Sequence, residues 1–323
     1  MKVQFDHLVQ SSFYLWVDDQ LTVQAEAITS GVSQIFTYSD LATDVPSNLV
    51  AYYAPDRQLM ANGTGAARPP YGQNAPSGVY IDTVFTNQFT DNLLIDFDQG
   101  RVLLDATRGT DLTISGKFDR KNVNVYVTND SEQDLLNRDF ILASDGDTWL
   151  QQRGDLGEYN YTVPAVFISC NGSRNLPFAL GGEDQTRTDM RVVCIAEDNY
   201  TLDGLLSLFR DTEKTSFTLF DYNAFPFGEY FHIKEPPYTY SGLVATYPSN
   251  KKGFIDSVVT SKLYDRSSLK IHKGLLIGFA DFQLEAIRFP RLGPIVKPRE
   301  NIITFGDEEE MVTFGDEENI VAF

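Results

Sequence analysis

Three histidines, two cysteines and two close pairs of acids are the residues of this 323-residue chain that could carry chemistry. His7, His232 and His272 have no Cys, Asp or Glu at a recognised ligand spacing, so a zinc site would have to be assembled from distant segments. Asp96/Asp98 and Glu183/Asp184 are the acid pairs that a glycosidase would need about 5 to 10 Å apart. With 45 Asp and Glu in the chain, such neighbours arise readily by chance. Asp145-Gly146-Asp147 opens like a calcium loop but lacks the twelve-residue pattern and its closing Glu. Gly63-Thr64-Gly65 lacks the rest of a dinucleotide fingerprint, and neither a Walker A loop nor a Gly-x-Ser-x-Gly elbow is present. Arg153-Gly154-Asp155 is a three-residue adhesion-like match in a loop. These residues predict no enzyme, no cofactor and no metal.

The elements around them read as strands. Phe13–Val17 is an apolar run, and Leu21–Ala27 alternates with period two, so the pattern predicts a hairpin across Asp18-Asp19-Gln20. Leu93–Phe97 and Arg101–Leu104, joined through Asp98-Gln99-Gly100, predict a second hairpin. Leu112–Phe118, Val123–Thr128, Val163–Cys170, Met190–Ala196, Ile255–Thr260 and Leu275–Phe289 supply further strands. Two short helices are expected. Ser131 caps the first, with Asp134 three residues on; Thr201 caps the second, whose Leu202, Leu205, Leu206 and Phe209 share one face. Residues 53–80, rich in Gly and Pro around Tyr71, predict a long exposed loop. Phe225, Phe227, Tyr238 and Tyr240 lie in an aromatic, proline-rich stretch at 220–248 that predicts a docking arm. The expected architecture is mainly β: a sandwich- or barrel-like body with a few short helices, extended loops and a C-terminal β-repeat tail. Its expected parts are a β-rich domain at 1–140, a second at 141–292, and a linker with tail at 293–323.

Composition narrows the function classes. The net charge of −19 repels nucleic-acid phosphates and anionic membranes. No apolar run reaches the roughly 18 residues that span a bilayer, and the opening residues lack the apolar stretch of a signal peptide. Cys170 and Cys194 are too few for a disulfide scaffold and are expected as reduced thiols, with one bridge as the alternative.

The last 23 residues repeat with period nine: Asn301–Glu309, Glu310–Glu318 and the shorter Asn319–Phe323. Each copy has a short apolar, β-branched unit, which the first two copies join to an acidic Gly-Asp-Glu-Glu stretch and the third, cut short, does not. Such units are too small to hold a core alone, so strand addition to an exposed sheet edge is the expected mode. Ile303, Phe305, Val312, Phe314, Val321 and Phe323 are the expected docking contacts.

Val163–Ile168, Pro177–Glu183, Tyr200–Asp211 and Gln283–Pro290 resemble segments of virion structural proteins of tailed bacteriophages, particularly marine T4-like ones. The likeness extends over most of residues 1–292. It implies a non-enzymatic protein made in a bacterial cytoplasm and built in multiple copies into a virion, with the neck or tail favoured. The implied partners are other virion proteins and further copies of the chain, as a homo-oligomer. Capsid decoration is one alternative. Another is a carbohydrate- or receptor-binding module using Trp149, Tyr159 and Tyr161; a two-acid glycosidase is a third reading.

Overall fold

The computed structural model is mainly β, with two curled sheets and a few short helices. It describes residues 5–40, 45–55, 58–63, 67–68, 73–74, 78–136, 140–142, 161–177, 184–235, 238–248, 251–263, 274–288, 312–313 and 320–321. The chain divides into two compact units, Met1–Arg174 with Thr186–Ala286, and Asn175–Gln185 with Ile287–Phe323. In the second unit, Arg288 donates to the Asn175 side chain at 3.3 Å, and Val312–Thr313 pairs antiparallel with Ile320–Val321. The remaining residues of the nine-residue repeat lie outside the described residues.

The first unit carries both main sheets. The seven-stranded sheet uses β1 (Ile28–Ser39), β2 (Leu49–Tyr53), β3 (Gly78–Ile81), β4 (Val84–Asn87), β5 (Leu93–Asp96), β6 (Arg101–Asp105) and β7 (Ile114–Lys121). Their order is β4-β3-β7-β1-β2-β6-β5, antiparallel throughout. The six-stranded sheet uses β8 (Asn124–Val127), β9 (Ala165–Pro177), β10 (Asp184–Ala196), β11 (Ser216–Thr218), β12 (Lys252–Lys262) and β13 (Leu276–Arg288), in the order β8-β9-β10-β13-β12-β11. The hairpin expected at 93–104 forms as β5–β6.

The six-stranded sheet is covered on both faces. Val166, Ile168, Val192 and Cys194 join the main core, while Ala165, Phe167, Val193 and Ile195 join a second one. This is why the two central strands read as continuous apolar runs rather than alternating ones. Helix α1 (Phe5–Asp19) and the later helix Asn199–Arg210 pack in the main core. Phe13 sits 5.0 Å from Phe282 and 5.6 Å from Phe217, ring centre to ring centre. Helix α2 (Glu132–Leu136) sets Leu135 and Leu136 into the second core. It carries the expected cap: the Ser131 hydroxyl accepts from Asp134 N–H at 3.1 Å and donates to the Asp134 carboxylate at 2.6 Å.

Four expectations need correction. Phe13–Val17 and Leu21–Gln24 are not strands but the end of α1 and a following π-helical turn, Gln20–Gln24. The helix is buried nearly all round, with Phe13 through Asp19 all inside. It therefore lacks the polar stripe that would mark a 3.6-residue period. The helix expected from Thr201 starts earlier, with Asp198 as its cap, accepting from Thr201 N–H at 2.8 Å; its four apolar residues are buried as expected. In the expected loop at 53–80, the described stretch Gln58–Gly63 is buried rather than exposed. Tyr71 lies outside the described residues. Of the expected arm at 220–248, several of the described aromatic residues fold into the core. Phe227, Tyr238 and Tyr240, the last opening the short helix Tyr240–Thr246, are buried, and Phe225 packs against them. Their rings contact one another and α1: Phe227 lies 5.3 Å from Tyr238, and Phe231 lies 5.8 Å from Tyr14. Aromatic residues placed this densely bury more apolar area by covering a helix than by waiting in solvent.

Candidate assembly surface

The acids with chemistry to offer are drawn into a buried polar seam between α1, the segment Gln58–Gly63 and β5–β7. Asp18 pairs with Lys121 at 2.5 Å, and Asp96 pairs with Arg101 at 2.8 Å, all four side chains almost fully buried. Oδ1 of Asp96 also accepts from the N–H groups of Asp98 and Gln99, so this carboxylate closes the β5–β6 turn. The Arg101 guanidinium reaches the Tyr53 hydroxyl at 3.1 Å and lies over the Tyr230 ring. Asp98 accepts from the side chains of Gln58 at 2.8 Å and Gln99 at 3.2 Å. Burial pushes the Asp96 carboxyl up to about 7 and raises Asp98; the nearby cations pull both the other way. Burial, with Asp18 close by, holds the phenols of Tyr14 and Tyr238 well above their usual range. The Asp18–Lys121 pair fastens α1 to β7, and the Gln58–Asp98 bond fastens the 58–63 segment to the β5–β6 turn.

Among the described residues, no group of three or more His, Cys, Asp or Glu side chains is placed to hold a metal ion. Asp184 is half-buried, while Glu183, Asp145, Asp147, His272, Trp149 and Tyr159 lie outside the described residues. Tyr161 packs on Tyr126 and Phe167 within the second core. Cys170 and Cys194 are free thiols, the first half-buried and the second buried, and burial raises the pKa of each.

The surface of the seven-stranded sheet is arranged differently. Ile35 lies opposite Ser115, Ser115 opposite Tyr80, and Tyr80 opposite Phe85. Directly opposed residues point to the same side of a sheet, so these four form one row across β1, β7, β3 and β4. Ile35, Tyr80 and Phe85 are 67%, 50% and 47% exposed. The Tyr80 and Phe85 rings meet edge to face at 5.4 Å. Beside the row lies an open depression of about 560 Å³ lined by Tyr80, Asp82, Thr83, Thr113 and Ser115.

The row ends on β4, the edge strand, and the β3–β4 turn holds that strand in place. Asp82 and Thr83 are its two loop residues, with φ of 46° and 76°. Positive φ at both positions is the hairpin geometry that matches strand twist, but it is costly for a β-branched Thr. The tip is secured to Thr113, which donates its N–H to the Asp82 carboxylate at 3.0 Å and accepts from Asp82 N–H at 2.9 Å. In a two-residue hairpin the residues flanking the loop bond to each other, so here the outward backbone groups belong to Phe85 and Asn87. Those of Asn87 are already used: its N–H donates to Asp91 at 2.8 Å, and its carbonyl accepts from Thr90 and Asp91. Phe85 is thus the one point on β4 where a further strand can bond.

Two other edges are covered. The turn Glu229–Phe231 sits against β5 at the far end of the same sheet. At the edge of the second sheet, the side-chain amide of Gln58 takes the place of a strand: its Nε2 donates to Val125 C=O at 2.9 Å and its Oε1 accepts from Val125 N–H at 2.8 Å. Closing edges in these ways is how sheets avoid unwanted pairing, and β4 has an apolar row beside it instead.

The sequence reading missed this row because its members are far apart in the chain, and only strand register unites them. Of the residues expected to dock, Val312 and Val321 lie opposite each other in the short pair of the second unit, and Ile303, Phe305, Phe314 and Phe323 lie outside the described residues. No helix among the described residues is long and apolar enough to cross a membrane. No protein-family model matches the sequence, and no curated protein was found to be related to it.

Proposed function

We propose that this chain is a non-enzymatic structural subunit that assembles in multiple copies within a tailed-phage virion, in its neck or tail region. The observation that carries the assembly part is the exposed row Ile35–Ser115–Tyr80–Phe85 running out to an edge strand. Contiguous exposed apolar side chains at an open edge mark interaction surfaces. The virion part rests on the resemblance of residues 163–290 to phage structural proteins. A symmetric oligomer would repeat the row at each interface.

The test is mass in solution by light scattering for the full chain and for Phe85→Arg. Phe85 is half-exposed, so the substitution should leave the thermal midpoint within a few degrees. A defined oligomer that Phe85→Arg dissociates is the expected result. A chain that stays monomeric at every concentration, and that is missing from purified particles by mass spectrometry, would defeat the proposal.

A further inference from the structure

We infer that the occupant of the β4 edge is the nine-residue repeat of a neighbouring copy, one apolar unit of the tail adding as a short strand beside Val84–Asn87. This rests on the assembly reading above and names its partner.

Four observations carry it. The first is length. The repeat units Ile302–Phe305, Met311–Phe314 and Ile320–Phe323 each have four residues, as β4 does. With Asn87 tied to Asp91, the edge offers bonding at Phe85 alone, which suits a short unit better than a long strand. The second is the tendency of these units to pair as strands, shown by Val312–Thr313 against Ile320–Val321. The third is side-chain chemistry. A tail Phe set opposite Phe85 extends the row Ile35–Ser115–Tyr80–Phe85, with the depression beside Tyr80 open to an aromatic ring. The fourth is charge. Arg108 donates to the Asp91 carbonyl at 3.3 Å, which places an exposed cation at the Asn87 end of the edge. Laid antiparallel to β4, the unit Met311–Phe314 brings the acids Glu308, Glu309 and Glu310 to that end. Chain length allows the reach: residues 287–323 extend on the order of 100 Å, far enough for a neighbour.

The test uses the full chain and a full chain in which Phe305, Phe314 and Phe323 are all replaced by Ala. A labelled peptide of residues 307–318 is titrated into the tail variant and followed by fluorescence anisotropy. The peptide should bind. Phe85→Arg in the protein or Phe314→Ala in the peptide should weaken binding about tenfold or more, since each removes an anchor. Arg108→Glu should weaken it several-fold and reduce its dependence on salt. The native chain should be oligomeric and the tail variant monomeric by light scattering.

Absence of peptide binding, or binding unaffected by Phe85→Arg, overturns the inference. A native chain that is monomeric while its tail variant binds the peptide also overturns it, because the tail then occupies its own body. A tail variant that still assembles, but dissociates on Phe85→Arg, defeats the inference and leaves the assembly reading standing. Thermal midpoints of all variants, expected to match the native chain, guard against loss of folding as the cause.

Discussion

Replacing Gln58 by Ala should be one of the most damaging single changes outside the apolar core. Gln58 is 1% exposed, and its amide serves both the N–H and the C=O of Val125, itself fully buried. A buried backbone group left without a partner costs about 1–3 kcal/mol. Two such groups, offset in part by water entering the vacated space, give an expected loss of about 2–5 kcal/mol. That is a large share of the roughly 5–15 kcal/mol by which a folded chain is stable. Gln58→Met keeps the packing and loses the same hydrogen bonds, so it should recover only the cavity part. Gln58→Glu retains an acceptor for Val125 N–H but sets a carboxylate beside Asp98, to which Gln58 now donates at 2.8 Å. At neutral pH it should therefore be worse than Met, and the gap should close on acidification. Urea unfolding of the three variants measures these losses, and hydrogen exchange at the Val125 amide reports the local opening. A loss below about 1 kcal/mol for Gln58→Ala, with Val125 protection unchanged, would refute the view that this side chain stands in for a strand.

Lys121→Met should cost about 3–5 kcal/mol in urea unfolding, because it strands the buried Asp18 carboxylate; adding Asp18→Asn should restore much of that loss. Gly278→Ala should destabilise by about 1–3 kcal/mol, since the added methyl would come within 2.9 Å of Leu206 and 3.0 Å of Leu202, and Leu206→Ala in the same chain should relieve the clash. Asp96 gives the chain a pH dependence. Its carboxyl titrates near 7 when folded and near its ordinary value of 3.8 when unfolded, so between the two the folded chain holds a proton that the unfolded chain has lost. For this group, stability therefore falls as pH rises across that interval, and Asp96→Asn should flatten the corresponding slope of the urea midpoint.

Much of the fold was legible because local chemistry and tertiary demand agree there. The β5–β6 hairpin forms where Asp96, the polar turn and Gly100 specify it, and Ser131 caps α2 through Asp134 as its spacing requires. The central strands β9 and β10 declared themselves by composition, since burial on both faces leaves no polar alternation to interrupt them. Where the sequence misled, the cause was burial beyond what a local pattern can express. Helix α1 has no polar stripe because Phe217, Phe282 and Phe231 enclose it, so its aromatic run carries the composition of a strand. The stretch 220–248 has the prolines and aromatics of an arm, yet Phe227, Tyr238 and Tyr240 fold onto the core.

The sequence by itself determined the β-rich class, the acidic surface and the repeating tail, because each follows from residue type and near-neighbour spacing. The tertiary structure decided which acids are joined to which cations, and which edges are closed. It also decided that Ile35, Ser115, Tyr80 and Phe85 stand in one row. Register between strands far apart in sequence sets that row, and the period of any single strand reveals which residues share its own face but not which strand will lie beside it.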